Sequence, residues 1–283
     1  MRHARAAGLE ALALVTTLLQ RARLADPEAG QWEAADFQWW WRTPRRSDAV
    51  EQVFWVDEAG PVAAVMLTEW SRSWGLDPIV VPNAGVPLAA IWEPALEAVE
   101  NLALEPVETL ARDDDAELLA LLATSGFTPT DEQDGMTWLA AEERPPVAPL
   151  PDAFRLVDRT RGTTPHPMRQ RNGEQVEERL RQCSLYDPTL DLAVETDEGD
   201  TAGYSLYWFD PVTRVGLLEP MRVEDAYQRR GLARAMLTEG LERLAQRGAR
   251  RLKVGYATDA ARALYTGSGF RVGATSTTYA WRR

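Results

Sequence analysis

The residues best fitted for chemistry lie in one short run, Tyr227-Gln228-Arg229-Arg230-Gly231-Leu232-Ala233-Arg234. Behind it, Leu232, Ala235, Met236, Leu237, Leu241 and Leu244 recur at three- and four-residue spacing, the pattern of a helix with one buried stripe. A helix start leaves its first backbone N–H groups without partners, with the positive end of the helix dipole behind them. Gly231 and Ala233 keep side chains off those amides, and Arg229, Arg230 and Arg234 add positive charge. Such a turn can hold a diphosphate. A plain glycine-containing cap is the competing reading; the arginines and the small residue at 233 favour the anion site.

The elements that must position this turn follow from the flanking pattern. Val215-Gly216-Leu217-Leu218-Glu219-Pro220-Met221-Arg222-Val223 predicts a buried strand broken by proline, and Gly248 predicts the helix end. The second half as a whole predicts a strand over 153–158, a helical region over 172–183, and hairpin strands near 190–196 and 202–209. Strand 214–223, helix 229–247, strand 250–256, helix 259–267 and strand 270–281 follow. Helices mixed with antiparallel hairpins predict an α/β chain of the α+β kind, with a mixed sheet and not an alternating doubly wound one.

A proline-rich stretch, Glu142-Glu143-Arg144-Pro145-Pro146-Val147-Ala148-Pro149-Leu150-Pro151, cannot lie inside a helix or central strand. It predicts a linker over 145–152 between a unit over 1–144 and a unit over 153–283. The halves echo each other. Ala120-Leu121-Leu122-Ala123-Thr124-Ser125-Gly126-Phe127 parallels Ala263-Leu264-Tyr265-Thr266-Gly267-Ser268-Gly269-Phe270, and a strand–turn–strand pattern precedes each at nearly the same distance. In the first unit the matching pattern predicts helices over 88–101 and 115–124.

Composition narrows the function classes. The chain has 283 residues, 45% hydrophobic, with 11 tryptophans, which excludes a disordered chain. One cysteine, Cys183, excludes an internal disulfide framework, and two separated histidines, His3 and His166, argue against a zinc enzyme; no metal is expected. The formal charge of −12 falls mainly on residues 1–144, a surface that repels nucleic acid and attracts a cationic small molecule. Leu9 to Leu19 is too short to span a bilayer and is interrupted by Glu10, so it predicts an amphipathic first helix in a cytoplasmic protein without membrane partners. Trp39-Trp40-Trp41 cannot all face one side of a strand, so one ring should be exposed, line a pocket or meet another chain. His166, between Pro165 and Pro167, reads as a loop residue.

Residues 153–283 resemble the GNAT N-acyltransferase superfamily, and the tandem arrangement is similar to its two-unit members. The resemblance rests on Gln228-Arg229-Arg230-Gly231-Leu232-Ala233 between strand and helix, and on Ala261, Tyr265 and Gly269-Phe270 about one helix and one strand later. Thr258 stands where the family often has asparagine. The resemblance implies acetyl-CoA or another acyl-CoA as co-substrate. It implies pantetheine against the backbone of Met221, Arg222 and Val223, the pyrophosphate on Gln228 to Arg234, and further cofactor contacts from Thr258, Ala261 and Tyr265. The register sets Leu88 at the place of Gly231 and Leu122 at that of Tyr265, and Pro82 to Leu88 carries no arginine. The N-terminal unit is therefore expected to be a degenerate GNAT-like unit.

Acyl transfer from a thioester to an amine needs a neutral amine, support for the oxyanion and a proton for the leaving thiolate. Glu219 is the candidate base, on the strand that carries the acyl group; a salt-bridged strand-end carboxylate is the alternative. Residues two apart on a strand share a face, so Glu219 is expected on the side of Leu217, the position many family members use. Tyr265 is the candidate acid, donating to the departing sulfur, with a ring packed under the sheet as the alternative. The expected function is acetyl transfer from acetyl-CoA to a primary amine of a small molecule, by direct attack in a ternary complex. A non-catalytic acyl-CoA-binding or regulatory module is the alternative from another class. Aminoacyl transfer from a charged transfer RNA is disfavoured by the acidic first half. Monomer and homodimer both stay open.

Overall fold

The computed structural model describes residues 2–28, 30–161 and 165–281. They fall into two compact units, neither continuous in sequence. The first comprises Met1–Phe37, Pro44–Asp134 and Ala274–Arg283; the second comprises Gln38–Thr43 and Gly135–Gly273.

The elements of the first half are β1 (Arg2–Ala6), α1 (Gly8–Ala25), α2 (Ala34–Trp40), β2 (Gln52–Asp57), β3 (Gly60–Glu69), β4 (Trp74–Val80), α3 (Leu88–Asn101), β5 (Val107–Arg112), α4 (Ala116–Thr124) and β6 (Thr128–Ala140). Those of the second half are β7 (Phe154–Asp158), α5 (Arg169–Asn172), α6 (Val176–Gln182), β8 (Asp191–Thr196), β9 (Thr201–Asp210), β10 (Val215–Val223), α7 (Leu232–Gln246), β11 (Arg251–Tyr256), α8 (Asp259–Thr266) and β12 (Arg271–Trp281). The mixed α/β class and most of the predicted elements agree with the sequence pattern.

Within the first unit the strands run in the order β1-β2-β3-β4-β5-β12, with β4 and β5 parallel only at Trp74↔Val107 and Gly75↔Glu108. Its last strand is the C-terminus of the chain, where Ser276–Trp281 pair antiparallel with β5. Within the second unit the order is β6-β11-β10-β9-β8-β7. Here the first half contributes the strand beside β11, with Gly135–Ala140 of β6 paired antiparallel to Arg251–Tyr256. Each unit is thus completed by a strand from the other half.

The stripe read from the helix spacing is the buried one: Leu232, Ala235, Met236, Leu237, Leu241 and Leu244 are all buried on α7. Each large apolar side chain removed from water there contributes roughly 1.5–3 kcal/mol. Gly240 lets α7 close on the sheet, because a Cβ at that position would stand 2.0 Å from the Tyr207 ring. The proline-rich stretch is laid along this helix: the Ala148 N–H donates to Thr238 Oγ1 at 2.9 Å, and Leu150 packs with the cluster around Leu232 and Met236.

The tryptophan triplet departs from expectation. Trp39 and Trp40 end α2, a helix and not a strand, and both are buried. Residues 38–43 belong to the second unit, where Gln38 Nε2 donates to Ser184 Oγ at 2.8 Å and Trp41 Nε1 donates to Gln182 Oε1 at 2.8 Å. The Arg179 guanidinium lies 3.8 Å over the Trp41 ring. Helical periodicity, not strand alternation, lets adjacent rings share the load of burial.

A chain cut at the proline stretch should give halves with open edges, since residues 145–283 lack β6 and residues 1–144 lack β12. Each half expressed alone is expected to aggregate, whereas both together restore a soluble species by size-exclusion chromatography. Two soluble, folded, separate halves would contradict the strand pairing.

Candidate active site

The site grows from one strand, β10. On one side it runs antiparallel to β9 along its length; on the other it is parallel to β11 only at Val215↔Arg251, Gly216↔Leu252 and Leu217↔Lys253. Beyond Leu217 the two parallel strands part. The Glu224 N–H donates to Ala202 O at 2.9 Å, so strand alternation turns the amides of Arg222 and Glu224 toward β9 and those of Met221 and Val223 toward the gap. A register shift lies between Leu218 and Met221, where Leu218 faces Tyr207 and Met221 faces Ser205. Glu219 and Pro220 therefore oppose Leu206 alone, as a β-bulge, and Pro220 forfeits no ladder bond because it has no N–H.

The turn after β10 builds the anion site. Arg229 (φ 62°) and Gly231 (φ 83°) are both left-handed, which stops regular helix before Leu232 and shortens the helix predicted from 229. Gly231 is the N-cap and offers no side-chain cap; the first i→i−4 bond is from the Ala235 N–H to Gly231 O at 3.1 Å. The amides of Leu232, Ala233 and Arg234 thus lack intrahelical acceptors. A Cβ on Gly231 would meet nothing within 4 Å, so glycine serves the φ angle, and the space before the helix is open.

The predicted cofactor residues divide by place. Gln228, Arg229, Arg230 and Arg234 are exposed around the turn and Ala233 is half-buried. Gln228 Nε2 donates to Asp225 Oδ1 at 3.0 Å, and the Arg230 guanidinium lies 5.6 Å from the Tyr227 ring centroid. The Leu232 side chain is buried against Met236 and Val194, so only its backbone faces the opening. Arg222 pairs with Glu224 at 3.3 Å, and Arg171 of α5 reaches both oxygens of the same carboxylate at 2.8 and 2.9 Å. Met221 packs on the core of the unit beneath the gap. Thr258 caps α8, its hydroxyl accepting the Ala261 N–H at 3.2 Å.

Tyr265 is on α8, buried within the core cluster that holds Leu218 and Tyr207, its ring 6.1 Å from that of Phe270. Burial pushes its phenol well above the ordinary tyrosine value, and the Glu219 carboxylate pushes it the same way. The two predicted catalytic side chains therefore sense each other. The register is regular through Leu218, and the irregularity falls at Glu219 and Pro220.

His166 lies outside helix and strand, as its flanking prolines suggest, and there it is 2% exposed with its Nε2 2.8 Å from Asp191 Oδ2. Sequence reasoning also missed Trp208, whose indole N–H donates to the Glu219 carbonyl at 2.8 Å. Nothing in the spacing of β9 signals that contact, which depends on the bulge across from it. Among the described residues, no helix is long and apolar enough to cross a membrane, and no group of three or more His, Cys, Asp or Glu side chains could hold a metal ion.

Residues 157–270 match the family model described as Acetyltransferase (GNAT) family. Among solved structures, the chain is similar over 99% of its length to a tandem GNAT protein from the clavulanic acid biosynthesis pathway, with 16% identity, 98% of that chain covered and a TM-score of 0.70. It is similar over 99% of its length to a GCN5-related N-acetyltransferase from Sphaerobacter thermophilus, with 16% identity, 95% of that chain covered and a TM-score of 0.66. The GCN5-related glucosamine N-acetyltransferase region of a fungal multi-domain GH3 β-N-acetylglucosaminidase also matches over 99% of the chain, with 13% identity, 38% of that chain covered and a TM-score of 0.63. At these identities the likeness establishes the fold, which is the GNAT fold in tandem form. A comparison with curated protein sequences gives no match.

The first unit holds a counterpart that the sequence echo also displays. Gly75-Leu76-Asp77-Pro78 on β4 parallels Gly216-Leu217-Leu218-Glu219-Pro220 on β10, one residue shorter where β10 bulges. The helix that follows begins at Leu88 with Pro87 as N-cap, so Pro87, and not Leu88, occupies the capping place that Gly231 holds in the second unit. A cavity of about 190 Å³ is bounded here by Val80, Leu88, Asp115 and Glu117. Asp77 is 4% exposed; Oδ1 accepts the Trp32 indole N–H at 3.1 Å and Oδ2 has no hydrogen-bond partner.

Burial pushes the Asp77 carboxyl from 3.8 up to about 7; the Trp32 N–H opposes this and Asp36 adds to it. Between those values the folded chain keeps a proton that the unfolded chain has released, so stability is greatest below the lower value and is lost as pH rises through the upper one. Asp77→Asn should flatten this dependence. In urea titrations the wild type is expected to lose on the order of 3–4 kcal/mol more than the variant between pH 4 and pH 8. Parallel pH profiles for the two proteins would contradict a protonated Asp77.

Proposed function

We propose that the chain is an acyl-CoA-dependent N-acyltransferase that moves an acetyl group to a primary amine of a small molecule by direct attack in a ternary complex. The reading is carried by one observation. Within a single unit, an uncapped helix start ringed by Arg229, Arg230 and Arg234 is continuous with the free edge of β10, which begins at Glu219 beside Tyr265. The open space before Gly231 and the cationic turn fit a diphosphate. The outward amides of Met221 and Val223 fit the amide groups of a pantetheine arm.

Bound acyl-CoA supplies an activated thioester. The protein's own groups do the rest. An alkyl amine is mostly protonated near neutral pH, and Glu219 accepts that proton directly or through a water, freeing the nitrogen lone pair for the carbonyl carbon. As the C–N bond forms and the C–S bond breaks, the nitrogen loses its second proton, which neutralises the departing thiolate, while Tyr265 donates a hydrogen bond to the sulfur. A thiol is a stronger acid than a phenol by about 1.5 units, roughly 2 kcal/mol, and burial of Tyr265 widens that gap. Tyr265 therefore stabilises the thiolate by hydrogen bonding and does not surrender its proton completely.

The first unit is proposed to be degenerate as a cofactor site. Its N-cap Pro87 has no N–H, no arginine lies between Asn83 and Leu88, and Asp115 and Glu117 line the cavity there. Repulsion from those carboxylates opposes a diphosphate. The acidic first half suits an acceptor that carries positive charge, and the glucosamine named for the fungal structure is such an amine.

Calorimetry with CoA and acetyl-CoA, together with free-thiol release over a panel of amines, tests the reading. Heat on binding and amine-dependent thiol release are expected, and Tyr265→Phe should lower kcat by about 10–100-fold with CoA affinity unchanged. The raised phenol also suits a second reading, an acyl-CoA-binding module without turnover. Binding with no thiol release across the panel would favour that module, and no binding at all would sink both.

A further inference from the structure

The Glu219 carbonyl lies inside the bulge of β10, where one residue of β9 faces two of β10. A carbonyl displaced from the ladder must find another donor or remain unsatisfied. It finds Trp208, buried on β9, whose Nε1–H reaches it at 2.8 Å. An indole has one donor and no acceptor, so this contact fixes the ring in a single orientation.

The ring is itself held from behind. Tyr186 meets Trp208 edge-on, with centroids 6.3 Å apart at 62°. The Tyr186 hydroxyl donates to Asp191 Oδ2 at 2.8 Å, and the same oxygen faces His166 Nε2 at 2.8 Å. His166 Nδ1 accepts the Met168 N–H at 3.2 Å, which assigns the imidazole proton to Nε2 and makes that nitrogen the donor to Asp191. The His166–Asp191–Tyr186 chain thus ends on the face of Trp208, and Trp208 ends on the backbone of Glu219.

We propose that Trp208 is a positioning residue for acyl transfer: its indole N–H, braced by the His166–Asp191–Tyr186 chain, fixes the β10 bulge and with it the Glu219 carboxylate and the free amides of Met221 and Val223. The proposal rests on the acyltransferase reading for its consequence in turnover, and on hydrogen bonds alone for its consequence in the strand. Trp208 touches no reacting atom. Its effect passes through the backbone.

Trp208→Phe keeps an aromatic ring and removes the donor. Where that variant fails to fold, benzothienylalanine placed at 208 replaces the N–H by sulfur within nearly the same shape. In either protein, kcat for acetyl transfer is expected to fall about tenfold, while KM and calorimetric affinity for acetyl-CoA stay within about twofold, because the turn at 229–234 is untouched. Amide hydrogen exchange over 216–224 should quicken by about tenfold or more, with exchange over α7 unchanged. A kcat equal to wild type, or a loss shared equally by kcat, affinity and α7 protection, would overturn the proposal. A wild type that releases no thiol, with faster exchange in the variant, would end the acyltransferase reading and leave the brace on the bulge standing. Unchanged exchange at 216–224 would remove the brace whatever the turnover.

Discussion

Hydrogen bonding along β10 shapes the candidate site of the second unit. A strand between two neighbours has its backbone groups satisfied on both sides, and it offers a ligand nothing. β10 keeps its antiparallel partner throughout but holds its parallel partner for only a few pairs. From that point its outward amides must meet water or a ligand. Because the chain then turns through left-handed Arg229 and Gly231 into α7, the free strand edge leads directly to a free helix start. Two groups of outward N–H result, at Met221 and Val223 on the strand and at Leu232 to Arg234 on the helix, with the N–H groups of Glu224, Tyr227 and Gln228 hydrogen-bonded between them.

The parting of the strands is stabilised by bulk behind it. Tyr207 under Gly240 and the leucines of α7 hold the antiparallel side, so the gap opens only on the other. The same core buries Tyr265, and that burial has a chemical price: a phenol kept from water is a poorer proton donor and a more persistent hydrogen-bond donor. Packing and chemistry are therefore coupled, and the site's acidity cannot be altered without touching the core.

The two units solve the same problem differently. The last parallel pair is at Gly75 in the first unit and at Leu217 in the second, and an acid–proline dipeptide follows each. In the second unit an extra residue forms the bulge, and the acid is only half-buried beside Tyr265. In the first unit the stretch from glycine to proline is one residue shorter, and Asp77 is shut in with an orphan oxygen and a carboxyl pushed toward neutrality. The unit with the inserted residue has its acid half-buried, and the unit without it has its acid fully buried.

By itself the sequence determined the class of elements and the chemistry of the turn. The spacing of Leu232 to Leu244, the stop at Gly248 and the arginines at 229, 230 and 234 are local signals, and local geometry obeyed them. The tertiary structure decided what depends on partners distant in the chain. It gave β12 to the first unit and Gly135–Ala140 of β6 to the second, set Trp39 and Trp40 in a helix, and drew His166 and Asp191 together. It also set a bulge at Glu219 and Pro220 on β10. Strand pairing and bulges are fixed by which edge lies opposite, and a linear pattern of side chains carries no record of the opposite edge.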